Sequence, residues 1–480
     1  MRRGTTIRSL KRDLQEAPDY ATWRQLSEAL DEAEGGAAWR ADDASMHYDA
    51  GALRDSLHTL ERLTRQGSPL ALVEALKTGL YQHQLTLSDP LLYRRSRVGT
   101  KHLVERYLDA VTAAMQHLCE VEVPGMDEAT KLKTFEAQAK NVGASALLLS
   151  GGATLGLFHI GVVKALFEQA LLPQIVSGAS TGSMIAGGLC TRTDDELFEL
   201  LGDPTRFIDT QVFRLSGLGQ IRDAQALMAN DQLLRAIEGN MRTDTFLESY
   251  ERTGRILCMS VSPTRARQKP RLLCHTTAPD VLVTSASLAS CAIPGLFSPT
   301  ALMRRRGGVV SEAVPGERWS DGSVEGDLPT ERLARLLGVN YTIVSQTNPH
   351  VLAFTRAKVR DGALPVVTDL VSSSLAAQGF QLLSVARRHT RRPGLRRLLD
   401  RAHSIADQRY LGDITLAPKL TAWNYGIALR NASDADLMRL IRQGERATWP
   451  RLAMIDAGTR VSRTLHGCVA RLKAKAAAAG

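Results

Sequence analysis

Residues 173–189 read PQIVSGASTGSMIAGGL: a short apolar run ending at Ser177, a glycine-bounded turn, and a helix of small and apolar residues. The turn Gly178-Ala179-Ser180-Thr181-Gly182 has the G-x-S-x-G form of a nucleophile elbow, where a serine sits on a sharp strained turn between strand and helix. The residues two before and two after that serine must be small, and Gly178 and Gly182 meet the condition. Gly187 and Gly188 let the following helix lie close to a sheet. The pattern arises by chance in a chain with 38 glycines, but a strand before it and a helix after it reduce that chance. Ser180 is the candidate nucleophile.

One strand upstream, residues 147–162 read LLLSGGATLGLFHIGV. A glycine-rich junction between strand and helix turns unpaired backbone N–H groups toward an anion. The stretch does not fit G-x-G-x-x-G from Gly151 or Gly152, and no Lys-Ser or Lys-Thr follows Gly156, so neither phosphate-binding motif is present. The amides of Gly151, Gly152 and Ala153 are therefore candidate oxyanion donors. For a base, residues 317–329, ERWSDGSVEGDLP, place Asp321 at the end of a strand containing Trp319 and Ser320, with Gly322 permitting a tight turn that presents the carboxylate. Asp327 reads as a turn or capping residue before the next helix. A carboxylate serves as base where burial raises its pKa or where it orients the serine directly. Histidine is the alternative. His159, among Leu157, Phe158 and Ile160, reads as a packed structural residue. His350, His389, His403 and His466 follow Asp321 in the Ser, Asp, His order of ordinary α/β-hydrolases; only His350 follows a strand pattern, which makes it the second candidate base.

Outward from these motifs the chain changes character twice. Residues 10–142 are helical by their three-and-four spacing of apolar residues. From 143 to 350, short apolar runs such as ALLLS, PQIVSG, RILCMSVS, RLLCHTT and NYTIVSQTNP alternate with helical patterns, which predicts an α/β domain with a mostly parallel sheet flanked by helices. Residues 351–465 return to helix with many arginines, and 466–480 read as a frayed tail. The chain has 480 residues, 44% of them hydrophobic, and a formal net charge of +10. That charge favours an anionic partner without choosing among nucleic acid, membrane and acidic substrate. Six cysteines lie at irregular spacing with no C-x-x-C pair, as expected of buried reduced thiols in a cytosolic chain. The N-terminus has no apolar run behind its charges, so no secretory signal is expected. Two uncharged stretches, 141–163 and 169–191, contain glycine, serine or proline and read as strand-turn-helix units rather than membrane spans.

The order SGGATLG, GASTG, DGS resembles the patatin-like phospholipases, whose sites are a Ser-Asp dyad on an α/β fold. GGATLGLFHIGVVKAL (151–166), ASCAIPGLFSP (289–299), WSDGSVEGDLP (319–329) and IVSQTNPHV (343–351) are similar to the branch containing the triacylglycerol lipases of lipid droplets. In that branch a helical domain of unknown function precedes the patatin domain, and residues 75–111 resemble it. The chain departs from the family at Ala153, where a glycine is usual, and at Ser323, where glycine or alanine is usual.

The resemblance implies a serine acyl-ester hydrolase of glycerolipids, triacylglycerol or phospholipid, with Ser180 as nucleophile, Asp321 as base, and the amides of Gly151, Gly152 and Ala153 holding the oxyanion. It implies no metal and no organic cofactor. The expected partners are the glycerolipid substrate and a lipid or anionic membrane surface, with the protein cytoplasmic and peripherally attached to membrane or lipid inclusions. No nucleic acid is expected, because the arginines of the third part are not interleaved with aromatic residues. Residues 386–403, ARRHTRRPGLRRLLDRAH, mix arginine with leucine and are the expected lipid-docking segment. Two alternatives stand beside this reading: a conventional Ser-His-Asp hydrolase, and a non-catalytic protein that binds lipid surfaces.

Overall fold

Strand β1 (Ala144–Leu149) follows the N-terminal helices and pairs in parallel with β2 (Ile175–Gly178) on one side and β8 (Val339–Ser345) on the other. The computed structural model describes residues 2–213, 227–265, 268–322, 328–349, 351, 411–419, 421–428 and 430–479. Outside them lie Ser323, Asp327, His350, His389, His403 and the arginine-rich stretch 386–403. Strand β3 (Ile256–Pro263) continues the sheet beyond β2, and β9 (Ile414–Leu416) continues it beyond β8, both in parallel. Two short strands, β4 (Arg271–Leu273) and β7 (Trp319–Asp321), run antiparallel to β3. The result is a seven-stranded, mostly parallel sheet.

The apolar run of β1 has a consequence at period two. Leu147 and Leu149 join Val176, Leu257, Met259 and Ile343 in the larger core. Ala146 and Leu148 face the other way, with Ile175, Cys258, Leu333 and Val344. A parallel strand covered on both faces needs apolar side chains at every position, and the ALLL run supplies them. All six cysteines are free and buried.

The helices that position the site are α1 (Phe158–Glu168), α2 (Thr181–Cys190), α3 (Val283–Cys291), α4 (Asp434–Thr448) and α5 (Leu452–Ala479). The N-terminal region is helical, as expected, and its helices start where carboxylates accept from backbone amides: Asp19 from Thr22, Asp49 from Ala52 and Asp127 from Thr130. It shares one core with the rest of the chain, from Leu53 through Leu166 to Leu472. The connection is α5, which packs on helices His102–Glu120 and Glu128–Val142 and whose Ser462 hydroxyl donates to the Gly143 carbonyl at 2.7 Å.

Two expectations change, and one hairpin is added. Residues 466–479 are not a tail but the last turns of α5, where Leu472 is buried. Arg471, Lys473 and Lys475 pair with Glu120, Glu136 and Glu128 of the N-terminal helices. Alanine, lysine and arginine are strong helix formers, and here a tertiary partner fixes them. The third part also supplies a strand, β9, too short to show a period. A hairpin of β5 (Met303–Arg306) and β6 (Val309–Glu312) turns on Gly307 and Gly308, both at positive φ, which is the Gly-Gly signature of a tight hairpin.

Helices α1 and α4 cross at two glycines. A Cβ on Gly161 would collide with the Ile441 carbonyl, and one on Gly444 with the Phe158 carbonyl, so both contacts are against backbone that has no rotamer to yield. Gly161→Ala and Gly444→Ala are each expected to destabilise by about 1–3 kcal/mol. Gly426→Ala, in helix Ala422–Ile427 with open space around it, is expected to gain up to about 1 kcal/mol from helix propensity. Thermal denaturation of the three variants checks the ranking, which fails if Gly444→Ala melts with or above the parent.

Candidate active site

Ser180 has φ 51° and ψ −128°, between the end of β2 and the start of α2. That backbone region is costly for any residue with a Cβ, by about 1–3 kcal/mol, and persists only when the surroundings enforce it. Here they do. The Ala179 amide donates to the Leu149 carbonyl at 3.1 Å, and the Ser183 amide donates to the Ser180 carbonyl at 2.8 Å. The Ser183 hydroxyl reaches the same carbonyl at 2.7 Å. The Ser180 amide donates to the Ser290 hydroxyl at 3.0 Å, and Ser290 passes its own proton to the Ser260 carbonyl at 2.8 Å. Gly178 and Gly182 are required for space rather than for φ: a Cβ on Gly178 would strike the Gly182 carbonyl, and one on Gly182 the Leu149 carbonyl. Gly187 faces the Met241 side chain and, next to it, Met259 of β3. Gly188 does not; it faces the Asn240 carbonyl.

Asp321 ends β7 opposite Val261, two residues along β3 from Met259, the partner of Gly178. One stretch of β3 therefore carries the elbow and the carboxylate together. Asp321 is fully buried, and its amide donates to the Ala292 carbonyl at 3.0 Å. A Cβ on Gly322 would collide with the Ser260 carbonyl, so the residue after the carboxylate must be glycine. The Cys291 thiol reports on both groups. It lies 3.9 Å from the Ser183 hydroxyl below the elbow, and its pKa is pushed up to about 12, first by burial and then by the Asp321 charge.

The third component is the loop after β1. Gly152 is extended, with φ 176°, and the Thr347 side chain fills the space its Cβ would need. Ala153 follows at φ 48°, a left-handed conformation that explains why glycine is usual there and shows that alanine adopts it. Among the described residues no group accepts a hydrogen bond from the amides of Gly152 or Ala153. The loop is anchored from beneath. The Thr347 amide donates to the Ser150 hydroxyl at 2.8 Å, and the Thr347 hydroxyl donates to the Gly151 carbonyl at 3.2 Å.

His159 completes that anchor. It is fully buried, with Nε2 at 2.9 Å from the Ser150 carbonyl and Nδ1 at 2.6 Å from the Ser345 hydroxyl. A carbonyl only accepts, so Nε2 carries the proton and Nδ1 accepts from Ser345. Both ring nitrogens are thus committed to the ends of β1 and β8, which is a structural role. His466 lies on α5, bonded to its own helix through the Ser462 carbonyl. Ser290, Ser345 and Thr347 hold the site without having stood out in the sequence.

The fold is α/β, with a serine elbow at the carboxyl ends of parallel strands, where ligands of such sheets bind. Residues 147–334 match the family described as patatin-like phospholipase, and residues 1–140 match a domain of unknown function, DUF3336. A Cryptococcus neoformans protein named as patatin-like phospholipase domain-containing is 31% identical over 95% of this chain and 54% of its own length. Two Schizosaccharomyces pombe proteins named triacylglycerol lipases extend the likeness. The first, ptl2, is 31% identical over 96% of this chain and 75% of its own length. The second, ptl3, is 30% identical over 92% of this chain and 93% of its own length. The chain belongs to the patatin-like phospholipase family. It spans about half the length of several curated relatives, 54% and 50% for the two Cryptococcus proteins.

Burial pushes the His159 pKa from the usual 6.5 down to about 4, against the Ser150 carbonyl, which acts in the opposite direction. The ring is neutral in the fold, while the unfolded chain takes up a proton below pH 6.5. Over that window the unfolded state binds more protons, so this group's contribution to stability falls as pH falls, by roughly 3 kcal/mol once pH reaches its folded pKa. Urea midpoints are therefore expected to decline between pH 6.5 and 4 more steeply for the parent than for His159→Gln, which has nothing there to titrate. Parallel declines would show that the buried ring is charged.

Proposed function

We propose that this chain is a serine acyl-ester hydrolase acting on glycerolipids through Ser180 and Asp321. The observation that carries the reading is the strained backbone at Ser180, held by the Ser290 hydroxyl at the carboxyl end of β2. Strain of this kind clusters at sites where geometry serves chemistry. In the reaction, the Ser180 Oγ attacks the ester carbonyl carbon and its proton passes to Asp321. The carbonyl π pair moves to oxygen, and the amides of the loop at Gly151, Gly152 and Ala153 face the resulting oxyanion. The tetrahedral intermediate collapses with cleavage of the ester C–O bond, and the departing glyceride oxygen takes the proton from Asp321. Water, deprotonated by the same carboxylate, then releases the fatty acid and restores Ser180.

Both nitrogens of His159 are engaged in the anchor beneath the loop, which favours a dyad over a triad built on that residue. The relatives named triacylglycerol lipases support a neutral glycerolipid as substrate. Among the described residues no helix is long and apolar enough to cross a membrane. We place the enzyme at the surface of a membrane or lipid inclusion, attached peripherally and drawn by its net positive charge.

Ser180→Ala and Asp321→Asn are each expected to lower kcat/KM on a nitrophenyl ester and on emulsified triacylglycerol by at least about a thousandfold, with the circular dichroism of the parent. A Ser180→Ala protein that hydrolyses either substrate at the parental rate removes Ser180 from the mechanism.

A further inference from the structure

Two of the buried thiols face each other across β3 and β4. The antiparallel register sets Ser260 opposite Leu272 and Met259 opposite Leu273, so one step further along the pair Cys258 stands opposite Cys274. Side chains at opposite positions leave a sheet on the same face, and both cysteines lie in one small core with Leu272, Ile175 and Leu333. The two thiols share a hydrogen bond.

The two sulfurs are not equivalent. Cys274 opens a surface turn: its amide donates to the Thr277 hydroxyl oxygen at 3.0 Å, and that hydroxyl donates to the Leu272 carbonyl at 2.9 Å. The hydroxyl of the exposed Thr276 lies 3.1 Å from the Cys274 sulfur. The bond from Cys258 holds the Cys274 pKa below its usual value against burial, with help from Thr276 and Thr277. That same bond, and then burial, raises the pKa of Cys258. A thiol with enhanced thiolate character next to a second thiol is the arrangement that responds to oxidants. Cys119 and Cys468 also meet, but their sulfurs are directed at helix carbonyls, Cys119 at Cys468 over 3.7 Å and Cys468 at Met115 over 3.8 Å. Burial, its first cause, pushes the Cys468 pKa up to about 11.

We propose that Cys258 and Cys274 are a modification site, a dithiol that a hydroperoxide converts to a disulfide, and that this disulfide lowers the activity of the adjoining site. The second half rests on the hydrolase reading of Ser180 and Asp321. The Cys274 thiolate attacks the nearer peroxide oxygen, the O–O bond breaks, and the departing oxygen takes up a proton, leaving a sulfenic acid on Cys274. The Cys258 sulfur then attacks the Cys274 sulfur, the S–O bond breaks, and the leaving hydroxide takes the Cys258 proton as water. Two thiols lose two electrons in all, and the peroxide gains them. The bond acts on β3 directly beside the site. Cys258 is the partner of Ser177, and the next three residues are Met259, paired with Gly178, Ser260, whose carbonyl receives Ser290, and Val261, opposite Asp321. Opposite Cβ atoms of an antiparallel pair stand about 4.5–5.5 Å apart. A disulfide holds them at about 3.8 Å, so its closure draws β3 toward β4 by roughly 1 Å. A displacement of that size costs catalysis up to roughly a hundredfold.

The full chain is reduced, treated with hydrogen peroxide, alkylated, digested and mapped by mass spectrometry. In parallel, its activity on nitrophenyl butanoate is followed before oxidation, after it, and after dithiothreitol. A peptide linked through Cys258 and Cys274 is expected, with kcat/KM falling by more than roughly tenfold and returning on reduction. Cys274→Ala, which stays apolar in an apolar core, is expected to keep its activity through the same treatment; if it does not fold, Cys258→Ala takes its place. No linked peptide, or links confined to other cysteines, overturns the dithiol. A linked peptide with unchanged activity, or an equal loss in the alanine variant, overturns the effect on the site. A parent that hydrolyses no ester before oxidation refutes the hydrolase reading and the effect on activity with it, while the linked peptide still decides the dithiol by itself.

Discussion

The Ser180 amide points into protein, not toward solvent, and the Ser290 hydroxyl receives it. That hydroxyl is itself fixed, because its proton goes to the Ser260 carbonyl on β3. A chain of two hydrogen bonds thus ties a peptide in a disfavoured conformation to β3, the strand against which β7 lays Asp321. Without an acceptor at Ser290 the buried Ser180 N–H would be left unpaired, at a cost of about 1–3 kcal/mol. The distance between serine and carboxylate is accordingly set by β3 and α3, not by either residue alone.

The loop after β1 uses the same logic with different chemistry. A neutral imidazole spans the ends of two strands, and the Thr347 side chain occupies the room that Gly152 leaves. The Thr347 amide and hydroxyl and the His159 ring bond the residues on either side of the loop, which fixes its backbone.

Much of this was legible as pattern. The central strands announced themselves as apolar runs, because a strand covered on both faces has no polar positions. G-x-S-x-G marked the elbow, because backbone contacts at Gly178 and Gly182 exclude every larger residue. What stayed hidden depends on tertiary partners. Ser290 sits in a helix rich in small residues, where nothing local separates an anchoring hydroxyl from a merely small one. Strand β9 has three residues and exists because β8 offers it an edge. The last turns of α5 read as a loose polyalanine-lysine end, and are fixed by tertiary partners: Leu472 is buried, and Glu120, Glu128 and Glu136 stand across from the basic residues.

The long reach of α5 bears on the order in which the molecule can be made. Helix His102–Glu120 rests on a segment some three hundred and fifty residues later, where Cys119 meets the Cys468 carbonyl and Asp109 meets Arg460. Strand β1 likewise waits for β8 before it has neighbours on both edges. During synthesis the N-terminal helices emerge first, yet the faces of His102–Glu120 and Glu128–Val142 that pack on α5 have no partner until residues 452–479 have left the ribosome. The nascent chain therefore spends most of its elongation time with that helical face uncovered.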